Sequence, residues 1–367
     1  MERFESIIRT IQREKLVLIM GAPGTGKTRI LNQIAECFEK GGTSTSPHRL
    51  HVPGSPVVIP AIPDPASIGA LPMMSRKNRK VFRITLHQNS KYRDFISGIM
   101  PRLDGSAGFF VTEGILYQAN EFAKQPDSTA LLIIDEINRG PVVEVFGPSI
   151  GAIEADKRLD EDNNPLPTTQ GFSILNPGGG PIYIEYQLSP HLYILAAMNQ
   201  ADVSVAPIDI AFLRRWKIER LYPDYDILKT SFGITPKEDL PEMDDGHVET
   251  LYELAYKALR KINEKIIAGR GEAYQIGHGI FLSAVPVPTG RASACDYLLK
   301  CWASIYSHIE EIFFGDTSSI AYVINANQEG SPYAMKEVSF ADSTKIILIS
   351  SELNRDSVFN LYKSLCL

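Results

Sequence analysis

Eight consecutive residues, GAPGTGKT (21–28), combine three glycines, a lysine and a threonine. Gly21, Gly24 and Gly26 let the backbone turn tightly, with Ala22, Pro23 and Thr25 completing the loop, so that N–H groups can point inward at phosphate oxygens. Lys27 suits the β- and γ-phosphates, and the Thr28 hydroxyl suits Mg²⁺. A second chemically apt group ends the apolar run of TALLIIDEINRG (129–140). There Asp135 fits a Mg²⁺ shell, and Glu136 can orient and polarise an attacking water. Asn199, at the tip of LYILAAM (192–198), can hydrogen-bond a γ-phosphate or that water. Arg214 and Arg215 close the following stretch. In a ring of subunits such a cation can project into a neighbour's site and stabilise charge on the transferring phosphoryl group. The plainer reading of the pair is a surface ion-pair cluster. Together these groups point to nucleoside triphosphate binding and hydrolysis. A kinase acting on a small molecule has no use for the water-activating carboxylate.

The elements that must position these groups are legible nearby. LVLIM (16–20) reads as a strand, and TRILNQIAECFEK places Ile30, Leu31, Ile34, Ala35 and Phe38 on one helical face. VFRITL (81–86), ALLIID (130–135) and WKIERLY (216–222) join LVLIM and LYILAAM as strands. Continuous apolar runs fit central parallel strands covered on both faces, and ligands bind at the carboxyl ends of such strands. The segment 43–72 holds seven prolines, which forbid a regular helix or central strand. Its His48 and His51, with no Cys or acid near them, read as plain loop residues. FSILNPGGGPIYIEYQL (172–188) reads as two strands joined in a β-hairpin insertion, for which a purely structural ribbon is one reading. From Asp224 onward the spacing is helical, over 247–266 and 294–314. The tail, 345–367, holds one strand-like and one helical segment.

At 367 residues, with 44% apolar and 22% charged residues, the chain exceeds one average domain. A net charge of −6 argues against coating nucleic acid through bulk charge and leaves room for a local basic groove. Apolar runs of about seven residues are far short of a membrane span, which needs about 20. The charged N-terminus lacks a signal-peptide core, so the expected location is cytoplasmic with no membrane partner. Cys37, Cys295, Cys301 and Cys366 are scattered and read as reduced, packed thiols.

The motifs GAPGTGKT, LLIIDEINRG, AAMNQAD and AFLRRW together resemble the AAA+ ATPase superfamily. More closely, the chain resembles the McrB-type GTPase subunit of modification-dependent restriction systems. LHQNSKYRDFISGIMPRL (86–103), VFGPSIGAIEADKR (145–158), YQIGHGIFL (274–282) and IEEIFFGD (309–316) carry that likeness, in matching order over residues 10–325. It implies an α/β, three-layer P-loop sandwich with a five-stranded parallel sheet, plus a small α-helical lid domain. The expected boundaries are a core at 1–223, a lid at 224–330 and a tail at 331–367. It also implies a homo-oligomeric, six-subunit ring with Mg²⁺ as cofactor. The motor or regulatory role would lie in a DNA-restriction or anti-phage defence complex, with DNA met indirectly or through the pore. No nuclease constellation is evident, so cleavage would fall to an McrC-like or other effector subunit. The resemblance puts Asp202, and His278 of the IGH motif, at the nucleotide, although a packing histidine fits His278 equally. The family signature linked to GTP reads MNTADRS. Here it is MNQADVS (198–204), with Val203 in place of the arginine, and both ATP and GTP stay open. The family's N-terminal DNA-reading domain has no counterpart, so a motor module alone is expected. The alternative is a slow or non-hydrolysing nucleotide-dependent scaffold that assembles an effector.

Overall fold

The computed structural model describes residues 2–41, 68–102, 108–201, 208–283, 286–341 and 343–367. Asp202, most of the proline-rich segment, and His48 and His51 lie outside them. Among the described residues the chain falls into two compact units. One comprises 2–20, 27–41 and 68–221, the other 21–26 and 222–367.

The first unit is built on strands β1 (Leu16–Gly21), β2 (Asn78–Thr85), β5 (Ser128–Asp135), β8 (Leu192–Asn199) and β9 (Lys217–Leu221). They form one five-stranded sheet in the order β2-β5-β8-β1-β9. β2, β5 and β8 pair in parallel register, with Thr85 opposite Asp135 and Ile134 opposite Ala196. These are the five strands the apolar runs predict.

Alternation along the three central strands makes the layers. Leu16, Leu18 and Met20 of β1, Ala130, Leu132 and Ile134 of β5, and Leu192, Ile194 and Ala196 of β8 feed one core. Val17 and Ile19, Leu131 and Ile133, and Tyr193, Leu195 and Ala197 feed the other. Successive side chains point to opposite faces, so a strand that is apolar at every position must be covered twice. One cover is α1 (Glu2–Glu14) with α2 (Lys27–Glu39), through Ile7, Ile8, Ile11, Leu31, Ile34 and Phe38. The other is α3 (Ile115–Ala123), joined by Phe146, Phe212 and Trp216.

Two small antiparallel ribbons leave this sandwich. β6 (Phe172–Leu175) pairs with β7 (Tyr183–Tyr186), as the Asn-Pro-Gly spacing predicts. β3 (Ser97–Pro101) pairs with β4 (Phe109–Glu113), a ribbon the sequence did not announce, and Ile99, Phe109 and Phe110 on it are exposed. Arg158, 1% exposed, is a buried cation with backbone partners. Its guanidinium donates to the Ile153 carbonyl at 2.9 and 2.7 Å and to the Leu192 carbonyl, which ties the preceding loop to the start of β8. Burial lowers its pKa to about 10.

The second unit is mainly helical: α4 (Tyr225–Phe232), α5 (Val248–Arg270), α6 (Arg291–Ile312), α7 (Thr317–Val323) and α8 (Val358–Leu365), with the ribbon β10 (Tyr333–Phe340) and β11 (Ser343–Ser350). The tail belongs to this unit's core. Trp302 Nε1 donates to the Tyr333 hydroxyl at 2.7 Å, and the Tyr362 hydroxyl donates to the Leu298 carbonyl at 2.8 Å. All four cysteines are free and buried. Among the described residues no helix is long and apolar enough to cross a membrane.

Candidate functional site

In the first unit, strand ends bring the acids and the amide together. β5 stops at Asp135, and Glu136 then adopts a left-handed backbone, φ 51° and ψ 47°. A non-glycine residue held there costs on the order of 1–3 kcal/mol and persists only where the surroundings enforce it. Here the Glu136 N–H donates to Asp135 Oδ1 at 3.0 Å. The turn presents the Glu136 carboxylate to the next strand, where Asn199 Nδ2 donates to its Oε1 at 2.8 Å. Arg139 Nε donates to the other oxygen at 3.3 Å. Asn138 Nδ2 donates to the Asn199 carbonyl at 3.1 Å and so fixes the strand tip that carries the amide.

Lys27 opens α2 and is 8% exposed. Burial lowers its pKa to about 8 against the opposing pull of Glu136 and, more weakly, Asp135. Thr28, in the same first turn, is exposed. Nearby in the chain, Asp135 offers a carboxylate and Thr28 a hydroxyl, and Asn138 Oδ1 is buried without a hydrogen-bond partner. Such hard donors fit Mg²⁺.

The lysine sets a pH dependence. Should Lys27 meet triphosphate, as proposed below, the ammonium is the binding form, so above pH about 8 the nucleotide-free protein would have to take up a proton to bind. Affinity is expected to be flat between about pH 7 and 8 and to fall by up to about tenfold per pH unit beyond. Titration with a fluorescent, non-hydrolysable nucleotide from pH 7 to 9 checks this, and Lys27→Met should bind weakly without that fall.

The loop before Lys27 has its own support in the second unit. Gly24 (φ 75°) and Gly26 (φ 88°) occupy the left-handed region, and the Thr25 hydroxyl donates to the Ala22 carbonyl at 2.8 Å. A loop whose N–H groups face a phosphate must turn carbonyls outward, and these need donors. The Gly277 N–H donates to the Pro23 carbonyl at 3.1 Å, and the Gly279 N–H to the Gly24 carbonyl at 2.8 Å. A Cβ on Gly277 would lie 2.1 Å from the Gly24 carbonyl carbon, and one on Gly279 2.8 Å from the Gly24 oxygen. Both positions therefore need glycine for space. Between them His278, 4% exposed, accepts the Asp224 N–H at Nδ1 (3.0 Å). In the neutral ring the proton then sits on Nε2, which lies 4.0 Å from where a Gly26 Cβ would be.

The arginine pair divides. Arg215 Nε lies 2.9 Å from Glu154 Oε1, an ion pair whose angle falls outside hydrogen-bond geometry, and its guanidinium also donates to the Ala211 carbonyl. Arg214 is exposed and makes no ion pair among the described residues. Asn138, Arg139, Gly277 and Gly279 were not singled out by sequence reasoning. Their partners are remote in the chain, and only their presence inside the INRG and IGHG stretches offered a signal.

A sheet with β1 between β8 and β9, a glycine loop leading into α2, and acid and amide at neighbouring strand tips form an α/β arrangement of the AAA kind. In agreement, residues 9–148 match the AAA domain family. The chain is 25% identical over 314 residues to the type IV methyl-directed restriction enzyme EcoKMcrB subunit of Escherichia coli, covering 85% of this chain and 57% of that protein. It is 29% identical over 224 residues to the type II restriction enzyme BsuMI component YdiS of Bacillus subtilis, covering 59% of each. The chain thus spans well under two thirds of these relatives. Among solved structures, C. elegans PCH-2 aligns at TM-score 0.35 and 14% identity, over 83% of this chain and 69% of that one.

Proposed function

We propose that the chain is an Mg²⁺-dependent nucleoside triphosphatase, working as a ring of like subunits in a DNA-restriction or anti-phage defence complex. Supporting this reading most is the direct contact between Asn199 and Glu136 at two adjacent strand tips, within the electrostatic reach of Lys27. A carboxylate that only capped a strand would need no such partner.

The loop Gly21–Gly26 would wrap the phosphates, with His278 Nε2–H as a further donor. Lys27 would bind the β- and γ-phosphates. Thr28 and Asp135 would hold Mg²⁺, which neutralises phosphate charge when bound. Glu136 would take the proton of the attacking water, with Asn199 and Arg139 setting the carboxylate's orientation. Arg214 would supply the transition-state cation to a neighbouring subunit, whereas Arg215 is engaged with Glu154. ATP and GTP are both admitted. Cleavage would belong to a separate nuclease subunit of the McrC-like kind, as the likeness to restriction-system components suggests.

Phosphate release from ATP and GTP, followed at rising protein concentration, tests this. Specific activity should climb steeply with concentration, because a trans-acting arginine is worth about 10³–10⁵-fold. Concentration-independent turnover would remove the ring from the proposal. Absence of turnover with both nucleotides, while binding persists, would favour the nucleotide-dependent scaffold.

A further inference from the structure

Residues 76–83, RKNRKVFR, carry five cations and no acid in a chain of net charge −6. They run into and along β2, the outermost strand of the sheet on its side. Among the described residues Arg79, Lys80 and Arg83 make no ion pair with an acid. Arg76 meets His191 Nε2 at 2.7 Å and the Ser128 carbonyl at 3.5 Å. Arg79 donates to the Met74 carbonyl at 3.2 Å and to that of Arg76, and its Nε is buried without a partner. Lys80 lies over the rings of Phe82 (4.8 Å) and Phe122 (5.8 Å). Arg83 donates to Asn32 Oδ1 at 2.7 Å. Among the described residues Glu161 reaches the His191 ring that Arg76 contacts, at 3.6 Å from Nδ1, and Lys77, with its side chain 87% exposed, has Asp127 at 3.9 Å. An exposed pair at that distance contributes little.

Charged side chains do guard open sheet edges against unwanted pairing. That role does not extend to Arg76 and Lys77, which precede the strand. Nor does the strip suit a protein partner. Protein interfaces centre on exposed apolar or aromatic anchors, and no large hydrophobic side chain between Arg76 and Thr85 is among the exposed ones. What remains is a set of cations along the sheet edge, Lys80 on the face that carries Phe122 and Arg83 on the face that carries Asn32, with Lys77 ahead of the strand, the chemistry that meets phosphodiesters.

We infer that the β2 edge binds the phosphate backbone of DNA directly and without regard to sequence. This deepens the proposed role in DNA restriction by giving the motor its own contact, and it does not depend on hydrolysis. The test is fluorescence anisotropy of a labelled 20-base-pair duplex, and of a single strand of equal length, with the full chain across a salt series. Lys77→Gln/Lys80→Gln/Arg83→Gln is the comparison, since these side chains are exposed and Arg76 and Arg79 stay to hold the fold. At about 50 mM salt the triple variant should bind duplex at least about tenfold more weakly. The slope of log affinity against log salt should flatten by about 2.7 for duplex, or about 2 for the single strand, if each cation meets one phosphate. Nucleotide turnover and melting temperature should be unchanged, so loss of hydrolysis elsewhere would not touch this result. Equal DNA binding by both proteins, no binding by the unsubstituted chain, equal competition by polyglutamate, or altered self-association of the variant as its main effect would each overturn the inference.

Discussion

Glu136→Gln is expected to bind nucleotide as the unsubstituted chain does and to lose phosphate release by about 10²–10⁴-fold. The amide keeps the shape, and its single oxygen can still accept from Asn199 at the position of Oε1, while the contact with Arg139 is lost. It cannot accept the proton of an attacking water. The left-handed turn at Glu136 is enforced by the Asp135 contact, which the substitution leaves in place, so folding should be preserved. Nucleotide affinity and single-turnover phosphate release, measured on the same preparation, separate the two effects. Turnover that survived would mean that this carboxylate does not act on water. Lost affinity would mean that it serves the bound state instead.

Gly277→Ala should have a comparably large effect by a different route. Its added methyl would fall 2.1 Å from the Gly24 carbonyl carbon, against backbone on which no rotamer change gives relief. Overpacking of this kind costs about 1–3 kcal/mol, and much of that should be relieved by displacing the loop Gly21–Gly26 from the shape that the proposed phosphate contacts require. Nucleotide affinity should therefore fall by about 10–100-fold, with a smaller change in melting temperature. Gly290→Ala is the control, because there the added methyl meets only the movable Ser293 hydroxyl at 3.2 Å. If the two variants bound nucleotide equally well, the backbone strap of Gly277 and Gly279 would have no part in shaping the loop.

How much of this was legible depended on whether the governing contacts were local. β1, β5 and β8 were readable because burial on both faces demands apolar residues at every position, and LVLIM, ALLII and LYILAAM supply them. The glycine loop was readable because its chemistry lies within eight adjacent residues. The ribbon of β3 and β4 was not, since its apolar residues Ile99, Phe109 and Phe110 point to solvent and follow no core pattern. β10 hid for the same reason, as YAMKEVSF is largely exposed and alternates weakly. Arg158 sits in the polar run ADKRLDED and gave no hint that its guanidinium is buried on backbone carbonyls. The sharpest case is the arginine pair. Two adjacent, chemically equal side chains differ only because the helical turn Ile210–Leu213 sets Arg215 toward Glu154, more than fifty residues earlier in the chain, and leaves Arg214 outside. Gly277 and Gly279 likewise derive their role from a loop about 250 residues away.

In the proposed ring a neighbour completes each site, and mixing two inactive variants tests that most directly. Glu136→Gln subunits keep Arg214 but cannot activate water. Arg214→Ala subunits keep the acid but have no cation to offer. Each alone should release phosphate at least about a hundredfold more slowly than the unsubstituted chain. Mixed in equal amounts, they should regain a substantial fraction of turnover, because an Arg214→Ala site can then receive Arg214 from a Glu136→Gln neighbour. A mixture no more active than its parts, under conditions where both variants bind nucleotide and assemble, would contradict the account.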